Sequence, residues 1–320
     1  MKMQRRTFLL GTGFAVSSYG AKSLSPKERV DRALEGKDPD RPPFSFWHHF
    51  GLQKEPPFKH AQATLDFQRK FRIDVVKVMS DFPYPKGKGA NWYELKEDKN
   101  PFPAQLEALK IIKDGLAGQK YYLETIFNPY NQATKISSKD EVKRLMHEKP
   151  AALLSALEII AKSESNHAKA AVSQGAAGIF LAIDNAQDGM LTREEYKKFS
   201  EPFDRMILDS VKAAPMNTLH LHGDKVYLDM FAGGWPASII SYSPHATGVS
   251  IADYRKQYSG VLMAGFDERA IRTAERSKLK QWFAQSAMPA GHKWICAPGC
   301  SVPDDSTDEE LLRITQLFGA

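Results

Sequence analysis

The sequence predicts a (β/α)8 barrel. Short apolar, β-branched runs recur eight times, helical patterns separate them, and polar side chains gather just past the C-terminal ends of the runs. The last observation bears most on function, because barrel active sites sit at that rim. A chain of 320 residues has room for two domains, yet a barrel uses about 250 residues as one unit. No linker or low-complexity tract divides this one.

The elements follow in order. Ser25-Pro26-Lys27-Glu28 opens a helix through Leu34 that covers the barrel's underside. Residues 43–47 form the first strand, 61–72 a helix, 75–80 the second strand, 104–117 a helix and 121–127 the third strand. Ser137-Ser138-Lys139-Asp140-Glu141 places a cap hydroxyl ahead of an acidic first turn, and 151–174 continues as helix to the fourth strand at 178–183. Thr192 and Glu195 make a capping box for a helix over 193–212, which leads to the fifth strand at 218–222. The sixth strand spans 238–242, followed by helix at 252–258. The seventh spans 261–266, with helix at 268–287, and the eighth spans 293–297. Ser306-Thr307-Asp308-Glu309 then caps a last helix over 308–318. Residues 80–100 carry Pro83, Pro85, Gly87 and Gly89, a long breaker-rich loop that reads equally as a lid or as a surface excursion.

Composition excludes several function classes. With 42% hydrophobic and 26% charged residues the chain can bury a large core and is not disordered. The net charge of +6 overstates its basicity, since Lys2, Arg5 and Arg6 lie in the leader, and no basic stripe interleaved with aromatics points to nucleic acid. The leader itself, Gln4-Arg5-Arg6-Thr7-Phe8-Leu9-Leu10 followed by the weakly apolar run 11–16, has the form of a twin-arginine signal over residues 1–20. Cleavage after Gly20 and after Ser17 both fit the small residues there, and an uncleaved cytoplasmic N-terminus is the alternative. The barrel domain then occupies 25–320, exported by the twin-arginine machinery. The leader is too short to span a bilayer, and no later run reaches about 18 uninterrupted apolar residues, so stable membrane insertion is not expected. Cys296 and Cys300 are too few for a disulfide framework. Fully extended, their Cα atoms would lie about 13 Å apart, although Pro298-Gly299 can bend them closer.

The strand ends carry the candidate site. Trp47, His48 and His49 follow the first strand, Asp81 the second, Asn128 the third, and Asp184 and Asn185 the fourth. His220 and His222 end the fifth, Tyr242 and His245 the sixth, Asp267 the seventh, and Cys300 follows the eighth. Adjacent His48 and His49 point to opposite faces, so at most one enters the site. Strict alternation also puts Lys77 in phase with Asp81, and Glu124 in phase with Asn128. A buried Lys77–Glu124 ion pair between neighbouring strands is therefore expected inside the barrel. His220 and His222 share one strand face, and Cys300 lies across the barrel mouth from them. Two imidazoles and a thiolate are a donor set for zinc with one position left open.

Taken in order, Lys27-Glu28-Arg29 with Asp38-Pro39-Asp40-Arg41-Pro42-Pro43, Met79-Ser80-Asp81, Ile183-Asp184 with Leu191-Thr192, Met263-Ala264-Gly265-Phe266-Asp267 and Ala297-Pro298-Gly299-Cys300 resemble the uroporphyrinogen decarboxylase superfamily across nearly the whole chain after the leader. The resemblance implies a lyase or a methyltransferase on a (β/α)8 barrel of that type. In the decarboxylase branch an acidic residue at the position of Asp81 holds pyrrole N–H groups. The branch's arginine pair is missing here, where Phe46-Trp47-His48-His49-Phe50-Gly51 stands, and Lys135 takes the place of its tyrosine. The methyltransferase branch has a His-x-Cys zinc motif plus a distant cysteine. Its counterpart here is His220-Leu221-His222 with Cys300, and the change of cysteine to His222 makes thiol methylation a poor fit.

These expectations combine as metal-dependent methyl or related group transfer, with His220, His222 and Cys300 holding zinc or a similar divalent ion. Asp81 and Asp184 are the catalytic carboxylates, and Trp47, His48, Asn128, Asn185, Tyr242 and Asp267 bind a small-molecule substrate. A corrinoid protein partner and a homodimer are compatible with that branch. A metal-free decarboxylase centred on Asp81 is the second reading, and an exported binding protein without catalysis the third.

Overall fold

The computed structural model describes residues 23–87 and 89–318; the leader with its twin-arginine motif lies outside the described residues. Seven parallel strands form one sheet in sequence order. They are β1 (Val75–Val78), β2 (Tyr121–Phe127), β3 (Gly178–Ile183), β4 (Thr218–Leu221), β5 (Ile239–Tyr242), β6 (Val261–Phe266) and β7 (Trp294–Pro298). The expected first strand is present as an extended segment rather than a full strand. Phe44 bridges Cys296 of β7 in parallel, Ser45 donates from its backbone to Cys296, and Asp74, just before β1, donates to the Phe44 carbonyl. Segment 43–47 thus fills the gap between β7 and β1 and closes a (β/α)8 barrel.

Alternation divides the strand side chains into two layers. Val75, Leu123, Phe180, Ile239, Val261, Met263, Ile295 and Ala297 pack with Trp47 and Met79 into one cluster that fills the barrel. The alternate residues, among them Ile126, Ile179, Leu181, Leu219, Ile240 and Leu262, join the larger cluster beneath the surrounding helices. This second layer is made by α1 (Pro26–Glu35), α2 (Pro57–Lys70), α3 (Pro103–Leu116), α4 (Pro129–Ile136), α5 (Lys139–Glu148) and α6 (Pro150–Ser173). It continues with α7 (Arg193–Phe199), α8 (Glu201–Ser210), α9 (Pro244–Thr247), α10 (Ile251–Arg255), α11 (Arg276–Ala290) and α12 (Asp308–Thr315).

Local chemistry sets several of these ends. Ser25, Thr192 and Thr307 each accept from the backbone N–H three residues on while Glu28, Glu195 and Glu310 reach back, which makes three complete capping boxes. The helix expected over 193–212 is broken at Ser200, because Pro202 supplies no N–H and fits only a first turn. The helix expected from residue 268 begins at Arg276, and Asp267 instead caps the preceding turns by accepting from the backbone of Arg269 and Ala270. Among the described residues no helix is long and apolar enough to cross a membrane.

The expected Lys77–Glu124 pair does not form. Lys77 points into the barrel, but Glu124 pairs in register beside Val78, in the outward phase, where it meets His167 of α6 at 2.8 Å and Gln105 of α3 at 2.9 Å. The phase error lies in β2, whose inward residue near the rim is Phe127 and not Asn128.

Candidate metal centre

The barrel's C-terminal mouth opens into a cavity of about 270 Å³. Its walls include Trp47, His49, Lys77, Phe127, Phe180, Asp184, His220, His222 and Cys300. A larger groove lies at the opposite end of the strands, around Arg29, Arg41 and Asp74. There the charges satisfy one another, with Arg29 and Arg41 both bonded to Asp74, as befits a stabilising underside.

Two histidines enter from β4 and its end, His220 within the strand and His222 just past it. His220 is buried, with its ring stacked on Phe180 at a centroid separation of 4.9 Å and set edge-on to Trp47. Its Nδ1 lies 3.1 Å from Ser241 Oγ on β5. If Nδ1–H donates to that hydroxyl, Nε2 keeps its lone pair for a ligand, the usual way an outer partner fixes a ligating imidazole. His222 follows two residues later on the same face, immediately before Gly223. That glycine has φ of 133°, and a Cβ there would overlap the Gln187 side chain.

Cys300 arrives from the far side of the mouth on the turn after β7. Gly299 makes this turn feasible, since a Cβ at that position would overlap Ser243 beyond β5. The Gly299 N–H donates to Glu268 Oε2 at 3.1 Å, so this buried carboxylate, one residue past the expected Asp267, anchors the turn. His220, His222 and Cys300 each present one donor atom, and the three donors all lie within 4.8 Å of one another. Both cysteines are free thiols. Burial alone would push the Cys300 thiol up, but hydrogen bonds with His220 and His222 outweigh it and bring Cys300 down to about 4. A cysteine sulfur and two imidazoles brought this close are a donor set that fits a tetrahedral zinc ion with its fourth position open.

The remaining expected residues divide by strand phase and loop path. Trp47 and Asp184 line the cavity, with the Asp184 carboxylate accepting from Asn131 Nδ2 at 2.6 Å. His49, not His48, faces the mouth, and its Nδ1 lies 2.6 Å from Asp81 Oδ1. His48 turns outward against Phe50 and Phe67. Asn128 caps α4 and donates to Asn185 and Ser200, so both asparagines belong to a buried network that also contains Asp204 and Tyr196. Tyr242 is out of phase with Ser241 and packs on Tyr254 in the helix layer. His245 rests on Trp282 with its Nε2 near the Gly265 carbonyl. Sequence reasoning did not assign Lys77, Phe180, Phe127 and Asn131 to the site. The inward phase of β1 and β3 was the signal for the first two.

The sequence profile described as "Uroporphyrinogen decarboxylase (URO-D)" matches residues 83–318. A protein named uroporphyrinogen decarboxylase from Carboxydothermus hydrogenoformans is 30% identical over 205 residues, covering 54% of this chain and 58% of that protein. Among solved structures, a methyltransferase from Methanosarcina mazei superposes with a TM-score of 0.77 at 17% identity, covering 93% of this chain and all of that one. A B12-independent methionine synthase from Shewanella sp. W3-18-1 superposes with a TM-score of 0.54 at 12% identity, over 87% of this chain and 93% of that one. At these identities the structural likenesses speak to the fold. The profile match extends from the loop after β1 to the C-terminal helix, and on that extent the chain belongs to the uroporphyrinogen decarboxylase family.

Proposed function

We propose that this protein is a metal-dependent group-transfer enzyme, acting on a small molecule at His220, His222 and Cys300. The observation that carries the reading is the approach of three donor atoms, from opposite sides of the barrel mouth, to within 4.8 Å of one another. Zinc or a similar ion bound there would supply Lewis acidity toward a substrate heteroatom, readying it for methyl or related transfer. Ser241 orients the His220 ring, and Glu268 with Gly299 holds the Cys300 turn. Asp184, fixed by Asn131, is placed to accept a hydrogen bond from substrate. Trp47, Phe127 and Phe180 give the cavity apolar walls that limit water around the reacting group. A corrinoid protein as methyl donor or acceptor is compatible with this chemistry.

Titration with cobalt(II) tests the metal ligands directly. The expected result is a near-ultraviolet thiolate-to-cobalt charge-transfer band that saturates with the ion and is lost in Cys300→Ser. A spectrum identical in wild type and Cys300→Ser would reject the cysteine as a ligand.

We also propose export by the twin-arginine route. Replacing Arg5 and Arg6 together by Lys should abolish export while leaving the folding of the chain from Ala21 onward unchanged. Normal export of the double-lysine variant would exclude that route.

A further inference from the structure

Lys77 is a buried amine without a carboxylate partner, and burial pushes it down to about 7. It projects from β1 into the cavity and is 8% exposed, and its ammonium lies 4.9 Å from the Phe180 ring centroid and 5.3 Å from that of Trp47. Its hydrogen-bond partner is the Met79 thioether at 2.7 Å, a weak acceptor, which leaves two of its three donors unmatched. No ion pair involving Lys77 occurs among the described residues, and Glu124, the acid nearest in sequence register, faces the helix layer. Burying an ammonium in this way is costly unless an anion joins it.

A second lysine, Lys135, is exposed but lies over one of the cavity's aromatic walls. Lys135 holds its ammonium over the Phe127 ring at 3.0 Å and makes no ion pair among the described residues. The cavity that Lys77 enters has flat aromatic walls and a volume of about 270 Å³. That falls just under the range of about 300–1,000 Å³ for sites that enclose drug-sized ligands. A tetrapyrrole with its peripheral acids is far too large for it.

We propose that Lys77 is the counter-ion for the carboxylate of a small, flat substrate held between Trp47, Phe127 and Phe180. This deepens the functional reading above and rests on it for the identity of the reacting end. The carboxylate binds at Lys77 inside the barrel, and a heteroatom at the other end of the molecule faces His220, His222 and Cys300 at the mouth. The aromatic rings fit an aromatic or otherwise planar body, so the substrate class is a monocarboxylic acid bearing a hydroxyl, ether or similar group.

The test is calorimetric binding of 4-methoxybenzoate and of its neutral analogue 4-methoxybenzamide to the full chain, with zinc supplied and after chelation. A charge-assisted hydrogen bond corresponds to about a tenfold or greater preference for the acid. That preference is expected in both metal states and should disappear in Lys77→Met, whose side chain is of similar length and uncharged. Equal binding of acid and amide by wild type, no binding of the acid at millimolar concentration, or a preference kept by Lys77→Met would each overturn the assignment. Should Lys77→Met fail to fold, the wild-type comparison of acid with amide decides alone. A protein that discriminates acid from amide but holds no zinc would refute the metal reading and leave Lys77 standing. Zinc binding without discrimination would do the reverse.

Discussion

His49 Nδ1 lies 2.6 Å from Asp81 Oδ1, joining the segment that closes the barrel to the loop after β1. Burial would raise the Asp81 carboxyl, but the His49 hydrogen bond together with the charges of His49, His60 and Lys77 holds the group below its ordinary value of 3.8. Asp81 Oδ2 is buried with no partner among the described residues. The side chain beside Asp81 is thus an imidazole and not a guanidinium.

Uroporphyrinogen should accordingly be a poor substrate. Each missing guanidinium–carboxylate contact removes about 1.5–3 kcal/mol of binding, and the cavity is small. Incubation with uroporphyrinogen under anaerobic conditions should yield little or no coproporphyrinogen. Robust turnover would move the chemistry to Asp81 and away from the three mouth ligands.

Asn128 should matter for stability and not for chemistry. It donates to Asn185 and Ser200 in a buried setting and accepts from the half-buried Asn131 backbone. Asn128→Ala should cost about 2–4 kcal/mol in denaturant unfolding, since several polar groups lose partners together. Metal affinity should change little. A variant of unaltered stability with weakened substrate binding would return Asn128 to the site.

How far the site could be read from the chain depended on strand phase. β4 is short and regular, and its pairing with β3 continues through the His222 N–H to the Ile183 carbonyl, so His220 and His222 fall on one face as alternation requires. The turn residues Pro298-Gly299 likewise signal a sharp approach for Cys300, although only the structure shows Ser243 pressing where a Cβ would be. In β2 the sequence Glu124-Thr125-Ile126-Phe127-Asn128 offers polar and apolar residues on both faces. Its phase is decided by His167 and Gln105, which come from helices remote in sequence. His48 and His49 do point to opposite faces, but only the structure shows that Trp47 faces the barrel interior, so that His48 turns outward and His49 reaches the mouth. Asp267 and Asn185 face local backbone and network partners that rim position alone does not reveal.

Glu164 gives the fold a pH dependence of known sign. Burial between α4 and α6 pushes this carboxyl up to about 7, with His167 and a hydrogen bond from Gln132 opposing. Because the folded chain holds the proton more tightly than the unfolded chain, stability falls as pH rises from about 4.5 through about 7 and then levels off. Glu164→Gln removes that loss. Relative to wild type, the variant should gain on the order of 1–3 kcal/mol between pH 5 and pH 8, measured by chemical denaturation at both values. A constant difference would mean Glu164 titrates normally.

Metal content of the full chain, purified without added metal and measured by plasma mass spectrometry, tests the central claim most directly. The donor set predicts about one zinc or similar ion per wild-type chain. Cys300→Ser and His222→Ala should fall to background with circular dichroism and melting temperature preserved, because rim residues contribute little to the barrel core. Wild-type protein without stoichiometric metal, or Cys300→Ser that retains it, would contradict the account.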